Sequence, residues 1–340
     1  MRNIYIIILI PIIILAFLYL LQHKNNLNSN FKRVIISNKN LLAIDTINLK
    51  PGEIVDGLFS DNNNLWLNER FSLIRIKENL AQNVISVENK SPLKNPIVNF
   101  YVRNDTVYYY QANSSIIGVI NVKGSLITYF KFDFPIVYFI RTSASAFLFQ
   151  EMNTKNSSGQ IHYVNYGNGI NLINDTLFSN ETGSAIKYSG YWFSSPENSN
   201  FFFVPIYEEN ILCFDSSGKA KYKLRSMDFQ NQDLKIIKEG NRFSLGPNAR
   251  VLRRGGSASK NYLFISSDVF SKSQSKSDFR NNQTIDVYKI SNGDYLYSFY
   301  LPNFKDKKAS GFVISKNKKL YVLYSRAIII YNFVNFLPNE

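Results

Sequence analysis

The chain has 340 residues, 45% of them hydrophobic, which is enough to bury a sizeable core and too many for a disordered polymer. Its formal charge of +14 is diffuse, with small clusters only at 305–308 and 316–319, so it describes a solvated basic surface and argues against a nucleic-acid binder. The single cysteine, Cys213, excludes an intrachain disulfide framework, and two histidines, His23 and His162, leave little from which to build a zinc centre or a Ser/His/Asp hydrolase.

The chain begins with "IYIIILIPIIILAFLYLL", residues 4–21, eighteen positions without a charge. As a helix this run measures about 27 Å, near the thickness of a bilayer core, and a membrane helix tolerates the kink that Pro11 introduces. No small-x-small cleavage site follows in "LYLLQHKNN", and no cysteine follows for lipidation. The expectation is an uncleaved signal anchor over 1–23, with a cleaved signal as the alternative, followed by a tether over 24–40. Arg2 lies before the run, while Lys24, Lys32 and Arg33 lie after it, so a strict positive-inside count places the large domain in the cytoplasm. A short basic start, one span and a large β domain nevertheless describe an exported protein. The expected topology is single-pass in the inner membrane with the main domain outside the cytoplasm.

From residue 41 onward the sequence repeats one grammar. An apolar strand leads into a polar turn, then a strongly apolar or aromatic strand, a loop, and a third strand. The second strands are the clearest markers: "LWL" at Leu65, "VYYY" at Val107, "FLF" at Phe147, "FFFV" at Phe201, "YLFI" at Tyr262 and "LYVLY" at Leu320. First strands are read in "EIVDGLF", "PIVNFYV", "PIVYFI", "IKYSGYWF", "ARVL" and "GFVI". The polar turns that follow include "SDNNN", "RNDT" and "RGGSASKN". Third strands are "FSLIRIK", "SIIGVINV", "QIHYVNY", "NILCFD", "TIDVYKI" and "RAIIIYNF". Four units continue through a Gly-bearing turn, such as "NVKGS" or "SNGD", into a fourth strand, because glycine reaches the positive φ of a tight hairpin without strain. The abundance of Tyr and Phe, 22 and 27 against 2 Trp, suits such half-buried pleated strands.

Four-stranded units at spacings of 40–60 residues predict an all-β, six-bladed β-propeller over 41–340. The sixth unit ends after its third strand, and an orphan strand, "NLLAIDTINL", precedes the first unit. A ring that stays open exposes two unpaired edges, so the orphan strand is expected to complete the sixth blade. Seven blades are the alternative, because 227–245 fits no blade. On this layout the chain resembles the six-bladed TolB-like or NHL-like propellers common as exported proteins in Bacteroidetes-type bacteria. The resemblance covers about 41–337, rests on blade layout rather than on a diagnostic motif, and carries little function with it.

No WD, YWTD, paired-Gly kelch, sialidase-box, P-loop or EF-hand pattern is present. In a propeller the innermost strands line the channel, so their polar residues are the candidate ligand-binding positions: Asp56, Asn99, Arg141, Lys187, Arg250 and Arg253, with Arg254 beside them. Most are basic, which suits a carboxylate, a phosphate or an acidic sugar. Alternation in "ARVLRRGGS" places Arg250 and Arg254 on one strand face and Arg253 on the other. The plainer reading of that segment is a solvated blade edge with a connecting Gly–Gly turn. Glu69, Glu151, Glu208 and Glu209 follow second strands and read as an acidic rim or as ordinary turn residues. His162 reads as a structural histidine on a strand, and "SKSQSKSDFRNNQ", 271–283, as a long mobile loop. No catalytic residue, metal ligand or cofactor is assigned. The expected function is a membrane-tethered module that binds a protein, a peptide or an acidic glycan and no nucleic acid. The alternative is a propeller enzyme, a lactonase-like hydrolase or a glycan lyase, with its site at the funnel mouth.

Overall fold

The computed structural model describes residues 31–38, 41–49 and 57–336, apart from 62–63, 70, 78–79, 81, 87–94, 104, 113, 144, 153–157, 166–168, 173–181, 196–198, 229–231, 233 and 241. The apolar run at 4–21 and Asp56 therefore lie outside the described residues. Among the described residues no helix is long and apolar enough to cross a membrane.

An isolated strand comes first, β1 (Ala43–Asn48). The first blade is β2 (Gly57–Ser60), β3 (Asn64–Asn68), β4 (Ser72–Lys77) and β5 (Gln82–Ser86); the second is β6 (Ile97–Arg103), β7 (Thr106–Gln111), β8 (Ile116–Asn121) and β9 (Leu126–Lys131). The third is β10 (Ile136–Arg141), β11 (Ala146–Met152), β12 (Gly159–Asn165) and β13 (Gly169–Leu172). A short helix, α1 (Ser184–Lys187), leads into the fourth: β14 (Gly190–Ser194), β15 (Phe201–Pro205), β16 (Asn210–Phe214) and β17 (Ala220–Arg225). A separate hairpin, β18 (Ile236–Glu239) with β19 (Arg242–Leu245), precedes the fifth blade: β20 (Arg253–Ala258), β21 (Tyr262–Ser267), then helix α2 (Lys276–Asn281), β22 (Asn282–Lys289) and β23 (Tyr295–Pro302). The sixth blade contributes β24 (Gly311–Ile314), β25 (Lys319–Tyr324) and β26 (Ala327–Asn332) from the C-terminal end.

The orphan strand closes the ring. β1 pairs antiparallel with β26, Ile47 opposite Ile328, and the sheet order is β1-β26-β25-β24. Ile47 then packs with Leu323, Ile328 and Ile330 of the last blade and with Leu65 and Leu67 of the first, so closure is hydrophobic as well as hydrogen-bonded. The propeller therefore has six blades. The stretch that fits no blade, 227–245, is largely the β18–β19 hairpin, an insertion between the fourth and fifth blades.

Burial explains why second strands are the most legible in sequence. β15 is buried at all five positions and β21 at all six, because each is covered on both faces by neighbouring blades. Outer strands lack that cover: β9 is exposed at Leu126, Ile127 and Tyr129. The core is aromatic both between blades, where Phe147 is edge-on to Tyr108 and Phe130, and within blade four, where Trp192 packs on Phe203 and Phe214. Such pairs add about 0.5–1.5 kcal/mol beyond the area they bury. The asparagine-rich turn of the first blade is also structural, since Asp61 accepts from the Asn64 amide (2.8 Å) and from Trp66 Nε1 (2.8 Å).

Two expectations need correction. "RGGSA" is not a turn but the body of β20; Gly255, at φ +134°, and the bulge between Arg253 and Gly256 carry the strand through a path that other residues resist. The 271–283 segment is not a structureless loop. Ser275 caps α2 by accepting from the Asp278 amide, Ser271 and Gln274 are buried, and the residues after the expected anchor dock beside it.

Candidate functional site

The inner strands β2, β6, β10, β14, β20 and β24 succeed one another around a central channel. Their starting ends lie on the face that carries the blade-to-blade connections, here the loop face. Their finishing ends lie on the face of the first hairpin turns, here the turn face. The channel encloses about 590 Å³, within the range of about 300–1,000 Å³ that small-ligand sites occupy.

Aromatic rings from four blades form much of the wall, Phe59, Tyr101, Tyr138 and Tyr191 among them. At the turn face Arg103 and Lys316 line the mouth on either side of Asp61. Arg103 leans onto the third blade, its Nη1 donating to the Thr142 carbonyl at 3.1 Å. The Tyr101 hydroxyl reaches Ser194 Oγ at 3.4 Å, and burial pushes that phenol up.

At the loop face the wall is polar, with side-chain amides and the Arg254 guanidinium. Asn68 belongs to the second strand β3, yet its amide reaches the channel because Gly57, which lies in front of it, has no side chain. A Cβ on Gly57 would stand 2.7 Å from Asn68 Oδ1. Asn68 Nδ2 donates to the Ile97 carbonyl at 3.0 Å. Its Oδ1 and the Oδ1 of Asn99 are buried and accept no hydrogen bond from any described residue. Buried acceptors of this kind are rare without a water or ligand donor. On the sixth blade Gly311 keeps the bore open, since a Cβ there would meet nothing within 4 Å.

The residues expected from sequence divide sharply. Asn99 and Arg254 line the channel. Arg254 pairs with Asp268 at 2.8 Å, and that hydrogen bond outweighs partial burial and holds the guanidinium charged. Arg141 is buried with its guanidinium 4.3 Å above the Tyr108 ring, between two blades and off the wall; burial lowers its pKa, and nearby Arg103 adds to that. Lys187 is not on an inner strand. The strand starts at Gly190, and Lys187 ends α1, 3.7 Å from Glu208. Arg250 also precedes its strand, which starts at Arg253, so the expected alternation does not apply; its backbone is held at both ends by the Gln232 amide.

Arg253 is fully buried, and both terminal nitrogens of its guanidinium are held by the protein. It donates to the carbonyls of Pro205, Glu208 and Glu209, to Ser226 Oγ, and to Asp228 Oδ1 at 3.3 Å. It is a structural strut that joins two blades. Three of the four expected rim carboxylates are paired too: Glu151, which lies within β11 rather than after it, with His162 at 2.5 Å, Glu208 with Lys187, and Glu209 with Arg225 at 3.2 Å. Burial pushes the Glu208 carboxyl up despite Lys187. His162 stacks on Phe134 and Phe149 within the core. Among the described residues no three His, Cys, Asp or Glu side chains gather in a metal-holding group.

Sequence reasoning missed Arg103, Lys316 and Asn68. Arg103 is the last residue of β6 and Lys316 lies two positions past β24, both inside segments that read as polar turns. Nothing local marks Asn68, whose access depends on a glycine eleven positions earlier.

No known protein family matches the chain, and neither does any curated protein. Solved structures do. A member of the DUF4221 family from Bacteroides vulgatus superposes with TM-score 0.52 at 13% identity, covering 86% of this chain and 97% of that one. Virginiamycin B lyase from Staphylococcus aureus, in an inactive form with quinupristin, gives TM-score 0.51 at 14% identity, covering 85% and 99%. A streptogramin B lyase gives TM-score 0.50 at 15% identity, covering 83% and 80%. At these identities the likeness is one of fold: it agrees with the all-β propeller expected from the sequence, a fold shared by the Bacteroides protein and the lyases alike.

Proposed function

We propose that the protein is a membrane-tethered, extracytoplasmic binding module whose central channel takes an acidic oligosaccharide. The observation that carries this reading is the wall of the channel itself: two cations flanking Asp61 at one mouth, two buried amide oxygens with no donor among the described residues and the Arg254–Asp268 pair toward the other, and aromatic rings between them. Arg103 and Lys316 offer charge-assisted hydrogen bonds to a carboxylate. Asn68 and Asn99 accept from hydroxyls, and Tyr138 and Tyr191 offer flat apolar faces to a sugar ring. The tether reading rests on the uncharged run at 4–21. Binding is favoured over catalysis because the histidine of the main domain is stacked in the core, off the channel wall.

The test is calorimetry on the full chain in detergent, titrated with a galacturonic acid trimer and with the uncharged galactose trimer. The acidic sugar should bind about tenfold or more tightly than the neutral one, and Arg103→Gln with Lys316→Gln should remove the difference. Equal affinities, or no binding of either sugar, would overturn the reading.

A further inference from the structure

Residues 31–38 do not hang free of the propeller. Ile36 donates its amide to the Ser298 carbonyl at 2.9 Å, and Ser298 returns a bond to the Val34 carbonyl at 2.8 Å, so this strap lies along the outer edge of blade five, with Ile35 bridging Ser298 in parallel. Arg33 pins it. Its guanidinium is buried and donates to both oxygens of Asp286, to Ser267, to Gln274 and to the Val269 carbonyl, at 2.6–2.9 Å. The Phe31 carbonyl accepts from the Lys272 amide. The chain therefore enters the domain at one defined point, on the loop face beside α2.

That point sits in a basic rim. The segment around α2 and the connection into blade six are knitted together: the Asn303 amide donates to the Asn281 carbonyl, Lys308 Nζ lies 4.7 Å over the Phe279 ring, and Phe279 packs edge-on to Phe270. Lys32, Lys272, Lys276, Arg280, Lys305 and Lys307 are exposed on these segments, against exposed carboxylates at Asp278 and Asp306. Nine residues, 22–30, separate Phe31 from the apolar run, so even fully extended they keep the rim within about 30 Å of its end.

We propose that this rim docks on an anionic membrane surface and turns the loop face of the propeller toward the lipid. The proposal rests on the tethered reading given above and adds an orientation to it. Electrostatic attraction to a lipid surface fades within about 8 Å at physiological salt, so a cation cluster gains from the membrane only if something holds it close. The pinned strap keeps the cluster within reach of that range, because it delivers the short connection to the membrane at the same edge that carries the charge. In this arrangement the channel mouth bearing Asn68 and Asn99 faces the membrane, and the mouth bearing Arg103 and Lys316 faces away. Ligand then enters from the turn face.

The experiment places a spin label on the full chain in nanodiscs, at Ser277→Cys on α2 or at Ser216→Cys in the turn between β16 and β17. Native Cys213 is buried and stays unlabelled. A lipid-anchored relaxation agent reports which label approaches the headgroups. In discs containing phosphatidylglycerol the Ser277→Cys label should relax on the order of threefold faster than the Ser216→Cys label, and the gap should close in phosphatidylcholine alone. Charge reversal at Lys276, Arg280, Lys305 and Lys307 should also close it. Incorporation with equal relaxation of the two labels, or with a gap that charge reversal leaves intact, would overturn the docking and leave the tether standing. Failure of the chain to incorporate into discs would overturn the tether, and the docking with it. A rim that responds only to an added soluble protein would assign the surface to a protein partner instead and would likewise overturn it.

Discussion

Arg33 and Asp286, 253 positions apart in sequence, form a buried two-pronged ion pair: Nε donates to Oδ1 at 2.7 Å and Nη2 to Oδ2 at 2.9 Å. Through Ser267, which donates to Asp228 while accepting from Arg33, the pair joins a second buried pair, Arg253 with Asp228. Burial pulls the Arg33 pKa down, but attraction to Asp286 outweighs it and the guanidinium is held charged. Two cations and two carboxylates thus share one buried network that unites the N-terminal strap, the connection after blade four, and blade five.

Arg33→Met breaks the network on one side and leaves Asp286 buried and uncompensated, which costs about 3–5 kcal/mol. Urea denaturation should show that loss. Hydrogen exchange should show the Ile36 amide losing protection before the blades do, because that amide is held by the strap pairing. Adding Asp286→Leu should recover a large part of the stability, since a buried pair replaced whole by apolar groups is often close to neutral.

Asp228 gives the network a pH dependence. Burial would raise its pKa, but Arg253 and Arg33, with Ser226 and Ser267 donating, hold the carboxyl below the usual range. A carboxyl depressed in the fold contributes stability that is complete above the unfolded pKa, near 3.9, and lost as pH falls through the folded value. The unfolding free energy should therefore decline below about pH 4, and Asp228→Asn should flatten that decline. Denaturant midpoints measured between neutral pH and pH 3 check the slope for both chains.

Two glycines of the channel should answer differently to a side chain. Gly57→Ala drives a Cβ to within 2.7 Å of Asn68 Oδ1 and 3.3 Å of Phe100, so it should destabilise by about 1–3 kcal/mol as it displaces the buried amide. Gly311→Leu projects into open space and should change stability by less than about 1 kcal/mol while it narrows the bore and weakens ligand binding. Denaturation and the sugar titration, run on both variants, separate the two effects.

Local patterning along the chain sets the architecture. Twice-covered second strands must be apolar throughout, so "LWL", "VYYY" and "FFFV" announced blades without any motif, and the missing last strand demanded the partner that β1 supplies. Only the tertiary structure decided which polar residues work in the channel and which hold the fold. Arg253 and Arg254 are adjacent in sequence, yet one is buried against Asp228, Ser226 and carbonyl oxygens while the other lines the channel. Arg33 reads as part of a tether and proves to be a clasp, and Asn68 reaches the channel only past the bare Cα of Gly57. The physical reason is range. Strand patterning is set by alternation and burial among near neighbours, which a sequence displays. The role of a charge depends on what lies within a few ångströms of it, and in a closed ring those partners come from opposite ends of the chain.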